Sequence, residues 1–155
     1  DDSCGLSEKI SVWLWKIGEV FMMKIVVAID SLKGSLTSIQ AGEAIEKGIK
    51  KVDLEAEVVI KPLADGGEGC LDAQTAMGKA PIGVAKLAKK YGKLVLGFSG
   101  AVTKGATACN EAGIDAYFPI VRSAVSLEDA MKKKNAQENL IDTVEQVFCV
   151  IKALK

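Results

Sequence analysis

Lys24-Ile-Val-Val-Ala-Ile-Asp30 is the stretch that decides the fold of this chain. Its apolar run is short and rich in β-branched side chains, the pattern of a strand buried in a parallel sheet. Ser31-Leu-Lys-Gly-Ser35 then turns the chain into a helix. Thr37 and Gln40 stand in capping-box spacing, and Ala41, Ile45, Gly48, Ile49 and Val52 fall on one face. Ala56 to Lys61 reads as a second strand. Strand, helix and strand in this order form a right-handed parallel crossover.

The rest of the chain repeats the alternation. Pro81 can start a helix because its missing N–H is not needed there. Val84, Leu87, Ala88 and Tyr91 are its expected apolar face, and Gly92 its end. Leu94 to Phe98 and Ala116 to Ile120 read as a third and a fourth strand, separated by a short helix from Thr103 to Ala112 that Gly113 closes. Ser126 and Asp129 have capping-box spacing, and an apolar stripe resumes from Leu140 to Ile151. The expectation there is a long helix broken midway. The predicted class is α/β: a mostly parallel four-stranded sheet in the order 2-1-3-4, with helices on both faces.

Residues 1–22 do not share this pattern. They hold both tryptophans and precede Met23-Lys24, which resembles a natural start. The apolar run is interrupted by Lys16 and Glu19, too short and too charged to span a bilayer, and no small-residue cleavage site follows it. An appendage outside the core is expected.

Composition narrows the function. The chain has 155 residues, enough for one domain, and its 20 basic and 20 acidic residues balance, so charge points to neither nucleic acid nor membrane. There is no histidine, which removes Ser-His-Asp and Cys-His catalysis and leaves carboxylates, lysines and backbone amides to do chemistry. The four cysteines are widely spaced with no C-x-x-C pair, as expected of reduced thiols in a cytoplasmic protein.

The site candidates concentrate between Pro62 and Pro81, in P-L-A-D-G-G-E-G-C-L-D-A-Q-T-A-M-G-K-A-P. Gly66, Gly67, Gly69 and Gly78 let the backbone approach a ligand closely, although turn geometry alone would ask for the same residues. Asp65 and Asp72 can ligate a metal or accept a hydroxyl proton, or serve as Asx-turn and helix-cap residues. Glu68 and Lys79 can contact a ligand or pair with each other. Thr75 lies among them. Lys33, with Gly34 and Ser35, follows the first strand, and the carboxyl end of a strand is where open α/β sheets bind ligands; a surface lysine is the plainer reading.

K-I-V-V-A-I-D-S-L-K-G-S-L, P-L-A-D-G-G-E-G, G-E-G-C-L-D-A-Q-T-A-M-G-K-A-P-I-G-V-A and A-G-I-D-A-Y-F-P-I…S-L-E-D-A-M together resemble the bacterial glycerate kinases, over nearly everything from Met23 onward. The resemblance implies a Rossmann-like domain over residues 23–155 and ATP-dependent phosphoryl transfer to the hydroxyl of glycerate, with ATP and Mg²⁺ as cofactors. It implies Lys33, Asp65 and Asp72 as catalytic, Asp65 and Asp72 as Mg²⁺ ligands, and Ser35, Gly66, Gly67, Glu68, Gly69, Thr75, Gly78 and Lys79 around substrate and phosphate.

The chain also departs from the family pattern. In the family the A-D-G-G-E-G and G-E-G-x-L-D-x-Q-T motifs lie far apart, with a second domain between them; here they are fused at residues 67–69. Cys70 stands where the family motif commonly has Arg, which removes a phosphate or carboxylate clamp. Two readings follow: a glycerate kinase polypeptide transferring the ATP γ-phosphoryl to glycerate, which admits a homo-oligomer or a complementing chain as partner, and an inactive α/β remnant that binds a small anion, a nucleotide or a partner chain.

Overall fold

The computed structural model describes residues 14–17, 20–29, 31–32, 34–63, 70–71, 77 and 80–154. Strand β1 (Leu14–Ile17) folds back antiparallel on β2 (Val20–Ile29), pairing Leu14 with Met23 and Ile17 with Val20. From Lys24 onward β2 pairs instead with β3 (Glu57–Pro62), in parallel, from Lys24 opposite Glu57 to Ile29 opposite Pro62. One strand thus serves two ladders. The appendage expected over residues 1–22 is described only at 14–17 and 20–22, where the backbone forms this hairpin.

Helix α1 (Ser38–Val52) makes the crossover between β2 and β3. Its start is the one the sequence predicts, since the Thr37 side chain accepts from the Gln40 N–H while the Gln40 side chain accepts from the Thr37 N–H. Its buried face is Ala41, Ala44, Ile45, Gly48 and Ile49. Along β2, Met23, Val27 and Ile29 are buried, whereas Val26 is 62% exposed. The strand expected to be buried on both faces is therefore covered on one. The other carries the exposed Lys24–Glu57 ion pair, at 2.8 Å between register partners.

Strands β4 (Cys70–Leu71) and β6 (Ala101–Val102) form a two-residue parallel ladder, and β5 (Leu96–Ser99) pairs in parallel with β7 (Ala116–Pro119). The four expected strands are present as β2, β3, β5 and β7, parallel within each pair. The α/β, Rossmann-like class and the parallel pairing are as expected, while among the described residues the ladders stop at those pairs and no continuous ladder in the order 2-1-3-4 is seen. Side-chain packing joins them instead: Phe98 packs against, and Ile120 belongs to, the main core of β2, α1 and α5.

Helices flank the β5–β7 pair on both sides. Tyr117 packs on a second cluster formed by Leu71, Ile82, Ala85, Ala106, Cys109 and Ile114, whereas Phe118, its neighbour, lines a groove with α5 (Lys133–Ala153). This is the period-2 alternation of a strand between two layers. Helix α2 (Ala80–Lys90) buries Ile82 and Ala85, while Leu87 and Tyr91 are exposed, which corrects the face expected for this helix. Ile82 and Ala85 pack with Leu71, Ala106, Cys109 and Ile114, and Gly113, at φ 116, stands beside Ala85 and Lys89. The helix expected from Thr103 to Ala112 is a 3₁₀ turn (Lys104–Thr107) continuing into α3 (Ala108–Glu111).

The long carboxyl-terminal helix is divided as expected. Helix α4 (Leu127–Met131) ends at Lys132, whose extended ψ of 126° breaks the line before α5 begins. Helix α5 then lies across α1. Gly48 makes the approach possible, because a Cβ there would fall 2.7 Å from the Ile141 carbonyl oxygen. Lys51 bonds Glu145 at 2.8 Å and Lys152 donates to the Val52 carbonyl at 3.0 Å, closing the pair at its rim.

Candidate functional site

At the carboxyl end of β2 the chain enters a turn whose two shoulders, Leu32 and Leu36, are buried and bridge each other. Gly34 lies between them, exposed, at φ 80, a backbone conformation that a side chain rarely adopts. The Ser35 hydroxyl and amide both donate to the Leu32 carbonyl, at 3.1 and 2.9 Å. Ser35, expected to bind phosphate, thus uses its proton to hold the turn and keeps its lone pairs to accept. Lys33 lies outside the described residues, between Leu32 and Gly34.

Helix α1 starts directly after this turn, where helix amides favour anions. The Thr37–Gln40 box already occupies two of the donors, which narrows what a ligand could find there.

The flanks of the Gly/Asp stretch reach the same ends of the strands. The Leu63 N–H donates to the Ile29 carbonyl at 2.8 Å, so the chain leaves β3 beside the end of β2. It is described again at Cys70, in β4 alongside β6, just past the end of β5. There the Thr103 N–H donates to the Leu71 carbonyl at 3.0 Å. Ser99 is buried at the end of β5, with its hydroxyl on the Ala101 carbonyl and its own carbonyl accepting from Ile120 N–H. Asp65, Gly66, Gly67, Glu68, Gly69, Asp72, Thr75, Gly78 and Lys79 lie outside the described residues, as does Asp30. Among the described residues no cluster of three or more Cys, Asp or Glu is placed to hold a metal ion, and the proposed ligands Asp65 and Asp72 are not among them.

Described residues line two hollows of note. One, of about 140 Å³, is polar and lined by Ser123, Val125, Asp129, Ala130, Asn135, Glu138 and Asn139. The sequence signalled Asp129 only as a capping residue. Its carboxylate accepts from the Lys132 ammonium at 2.6 Å and the Ser126 hydroxyl at 2.8 Å, and these bonds, the first above all, hold its pKa below the ordinary carboxylate value. The larger hollow, of about 590 Å³, runs between β5, β7 and α5, and Phe118, Val121, Val147 and Val150 make it apolar. Ser35, the expected site residue that is described, does not line it.

Comparison with known proteins adds the remaining observation. The glycerate kinase family model matches the chain twice, over residues 25–73 and 67–152, so the two matches share residues 67–73. The chain is 41% identical over 122 residues to a glycerate kinase of Bacillus subtilis (strain 168), covering 77% of this chain and 31% of that protein. It is 36% identical over 121 residues to a glycerate kinase of Haemophilus influenzae, covering 75% of this chain and 30% of that one. With the glycerate 2-kinase of Escherichia coli (strain K12) it shares 38% identity over 95 residues, 25% of that protein. The chain thus spans under a third of the length of these curated relatives.

Proposed function

Because the chain belongs to the glycerate kinase family, we propose that it is the Rossmann-like part of a glycerate kinase that lacks the segment normally inserted near residues 67–69. In this reading it binds Mg²⁺-ATP and glycerate at the carboxyl ends of its strands and transfers a phosphoryl group only when the lacking segment is supplied. The observation that supports the reading is that the family model matches the chain twice, over stretches that have residues 67–73 in common.

In the reaction proposed, a glycerate hydroxyl oxygen attacks the γ-phosphorus of ATP, the bond to ADP breaks, and the hydroxyl proton passes to a carboxylate, Asp65 or Asp72. Lys33 offsets the charge of a phosphate or of the glycerate carboxylate. Ser35 and Thr75 accept or donate at the ligand, Gly66, Gly67, Gly69 and Gly78 give its oxygens room and backbone amides, and Glu68 and Lys79 close the loop around it. Mg²⁺, when bound, neutralises charge on the phosphates, and Asp65 and Asp72 are the carboxylates that would hold it. Such a reaction takes place in the cytoplasm, where ATP is supplied. Among the described residues no helix is long and apolar enough to cross a membrane.

Phosphoryl transfer depends mainly on positioning, which can supply roughly 7–11 kcal/mol of the barrier reduction when both reactants are held. One wall of a cleft forfeits much of that. The chain alone should therefore bind Mg²⁺-ATP or glycerate weakly and release ADP at background rate in a coupled assay, with glycerate making no difference. Turnover should rise when the lacking segment is added as a separate polypeptide. Glycerate-dependent turnover by the chain alone, near that of an intact kinase and abolished by Lys33→Ala or Asp72→Asn, would show that the segment is dispensable. If neither ligand binds and addition of the segment restores nothing, the chain is an inactive remnant.

A further inference from the structure

We propose that the uncovered face of β2 and β3 is a docking surface, and that its occupant is a helix of the polypeptide that supplies the lacking segment. The proposal deepens, and rests on, the reading of the chain as part of a glycerate kinase in need of that segment. Side chains alternate across the two strands. Met23, Ile25, Val27 and Ile29, with Val58 and Ile60, face the main core. Val26 and its register partner Val59 face the other way with Ala28, between the Lys24–Glu57 ion pair at one end and the exposed Lys61, opposite Ala28, at the other. Val26 is 62% exposed and Val59 and Ala28 are half-buried, so an apolar strip on a parallel ladder meets water. Parallel strands of this composition occur almost only where both faces are covered.

The two helix layers show which cover is lacking. Helices α1 and α5 share one core with β2, and that core takes in Phe98 of β5 and Ile120 beyond β7, so the first layer serves both strand pairs. On the opposite side Ile82 and Ala85 of α2, Ala106 and Cys109 pack with Leu71, Ile114 and Tyr117, a cluster that takes in no residue of β2 or β3. The second layer covers one pair only. Handedness assigns the bare part. β2 buries Met23, Val27 and Ile29 whereas no residue of β3 is buried, which puts β3 at the margin and the rest of the core on the β2 side. Helix α1 crosses outward from β2 to β3 on the core face. The next crossover runs back past β2, and a right-handed connection in that reverse direction lies on the opposite face, over Val26. Here the connection after β3 has only seven residues, 63–69, between Pro62 and Cys70, whereas a parallel crossover takes about a dozen or more. The two family matches begin to overlap at residue 67, inside this same connection. The lacking segment is therefore the one whose first crossover helix belongs over Val26. Its docking face needs an apolar stripe for Val26, Val59 and Ala28, and a carboxylate placed to meet Lys61.

The probe is the part of the Bacillus subtilis glycerate kinase that this chain does not match, added as a separate polypeptide. Isothermal titration calorimetry measures its binding to the parent, Val26→Lys and Val150→Lys; Val150 is as exposed, at 60%, but lies on α5. Val26→Lys should weaken binding by roughly tenfold or more, as expected of a residue central to an interface. Val150→Lys should leave it unchanged. Alkylation of the Val26→Cys variant, read thiol by thiol by peptide mass spectrometry, gives a second measure with the exposed Cys149 as reference. The added segment should slow modification at position 26 by roughly tenfold, because the centre of an interface excludes water, and leave Cys149 unaffected. Binding without protection at position 26, equal affinity for parent and Val26→Lys, or an equal loss in Val150→Lys overturns the docking surface and leaves the proposed function standing. Protection at position 26 that grows with the concentration of the chain alone gives the face to a second copy and also overturns the proposal. If the segment does not bind the parent at all, the reading of the chain as a kinase part that a second polypeptide completes falls, and the docking surface falls with it.

Discussion

Gly48→Ala should destabilise the chain by about 2 kcal/mol, against the ordinary expectation for glycine in a helix. Alanine is worth about 0.8–1.0 kcal/mol more than glycine in a helix interior, so on propensity alone the change would stabilise α1. The new methyl, however, would stand 2.7 Å from the Ile141 carbonyl oxygen and 2.9 Å from Val144 Cβ. Carbon contacts are comfortable near 3.5–4.0 Å, so the two helices must separate by at least about 0.6 Å. Neither obstacle is a side-chain end that can rotate away. Overpacking costs typically about 1–3 kcal/mol, and an immovable neighbour places this site near the upper figure, from which propensity recovers about 1. At roughly 2–4 °C per kcal/mol for a chain of this size, the thermal midpoint should fall by about 4–8 °C. Gly83→Ala in α2 is the internal control, because nothing lies within 4 Å of its new methyl; it should gain about 0.5–1 kcal/mol. Urea unfolding of both variants against the parent decides the matter. A Gly48→Ala variant as stable as the parent would mean that α1 and α5 are not in close contact.

Other outcomes follow from the same structure. Leu140→Ala, at a residue only 1% exposed in the main core, should cost about 2–5 kcal/mol by urea denaturation. Thr37→Ala breaks the capping box of α1 and should cost about 1 kcal/mol with an unchanged denaturant slope. The Asp129 pKa is lowered by Lys132 and Ser126. The stabilisation it gives is therefore complete above the ordinary carboxylate value of 3.8 and is lost as pH falls through the lower folded value. Hydrogen-exchange protection of the Ala130 amide, bonded to the Ser126 carbonyl, should fall in that acid window in the parent, and already be reduced at neutral pH in Asp129→Asn. Lys51 behaves oppositely, because its hydrogen bond to Glu145 raises its pKa. Its contribution is complete below 10.5 and is lost in alkali as pH rises through the raised value, which an alkaline titration of stability with Glu145→Gln as control should reveal.

Legibility in the sequence depended on whether a pattern was local. The turn after β2, the Thr37–Gln40 box, the apolar face of α1 and the Ser126 cap were all readable, because each is decided within one or two helical turns. The face of α2 was not. Val84, Leu87, Ala88 and Tyr91 make as good a stripe as Ile82 and Ala85, and the choice between them came from packing against Leu71, Ala106, Cys109 and Ile114, residues distant in the sequence. Strands β4 and β6 are two residues each, too short to show a period of 2. The pairing of Leu14–Ile17 with β2 was missed because residues 1–22 were set apart by composition. Spacing marked the turn around Gly34 as the entry to α1. It gave no hint that Met131, nearly a hundred residues later in the sequence, would lie against that turn, since such a contact exists only once α4 and α5 have been placed.

The crossing of α1 and α5 also shapes how the chain reaches its folded state. Glu145 follows Lys51 by 94 residues and Lys152 follows Val52 by 100, so the main core is sealed by contacts between distant parts of the sequence. Such closures are slow, because the entropy of a long loop is lost before any contact rewards it. During synthesis, β2, α1 and β3 emerge well before α5, with Gly48 still uncovered on the side that α5 will take. At the usual pace of about 5–20 residues per second, the roughly eighty residues between α1 and α5 leave that surface open for several seconds. A nascent chain in that interval offers chaperones, and other unfinished chains, the apolar surface that α5 later covers.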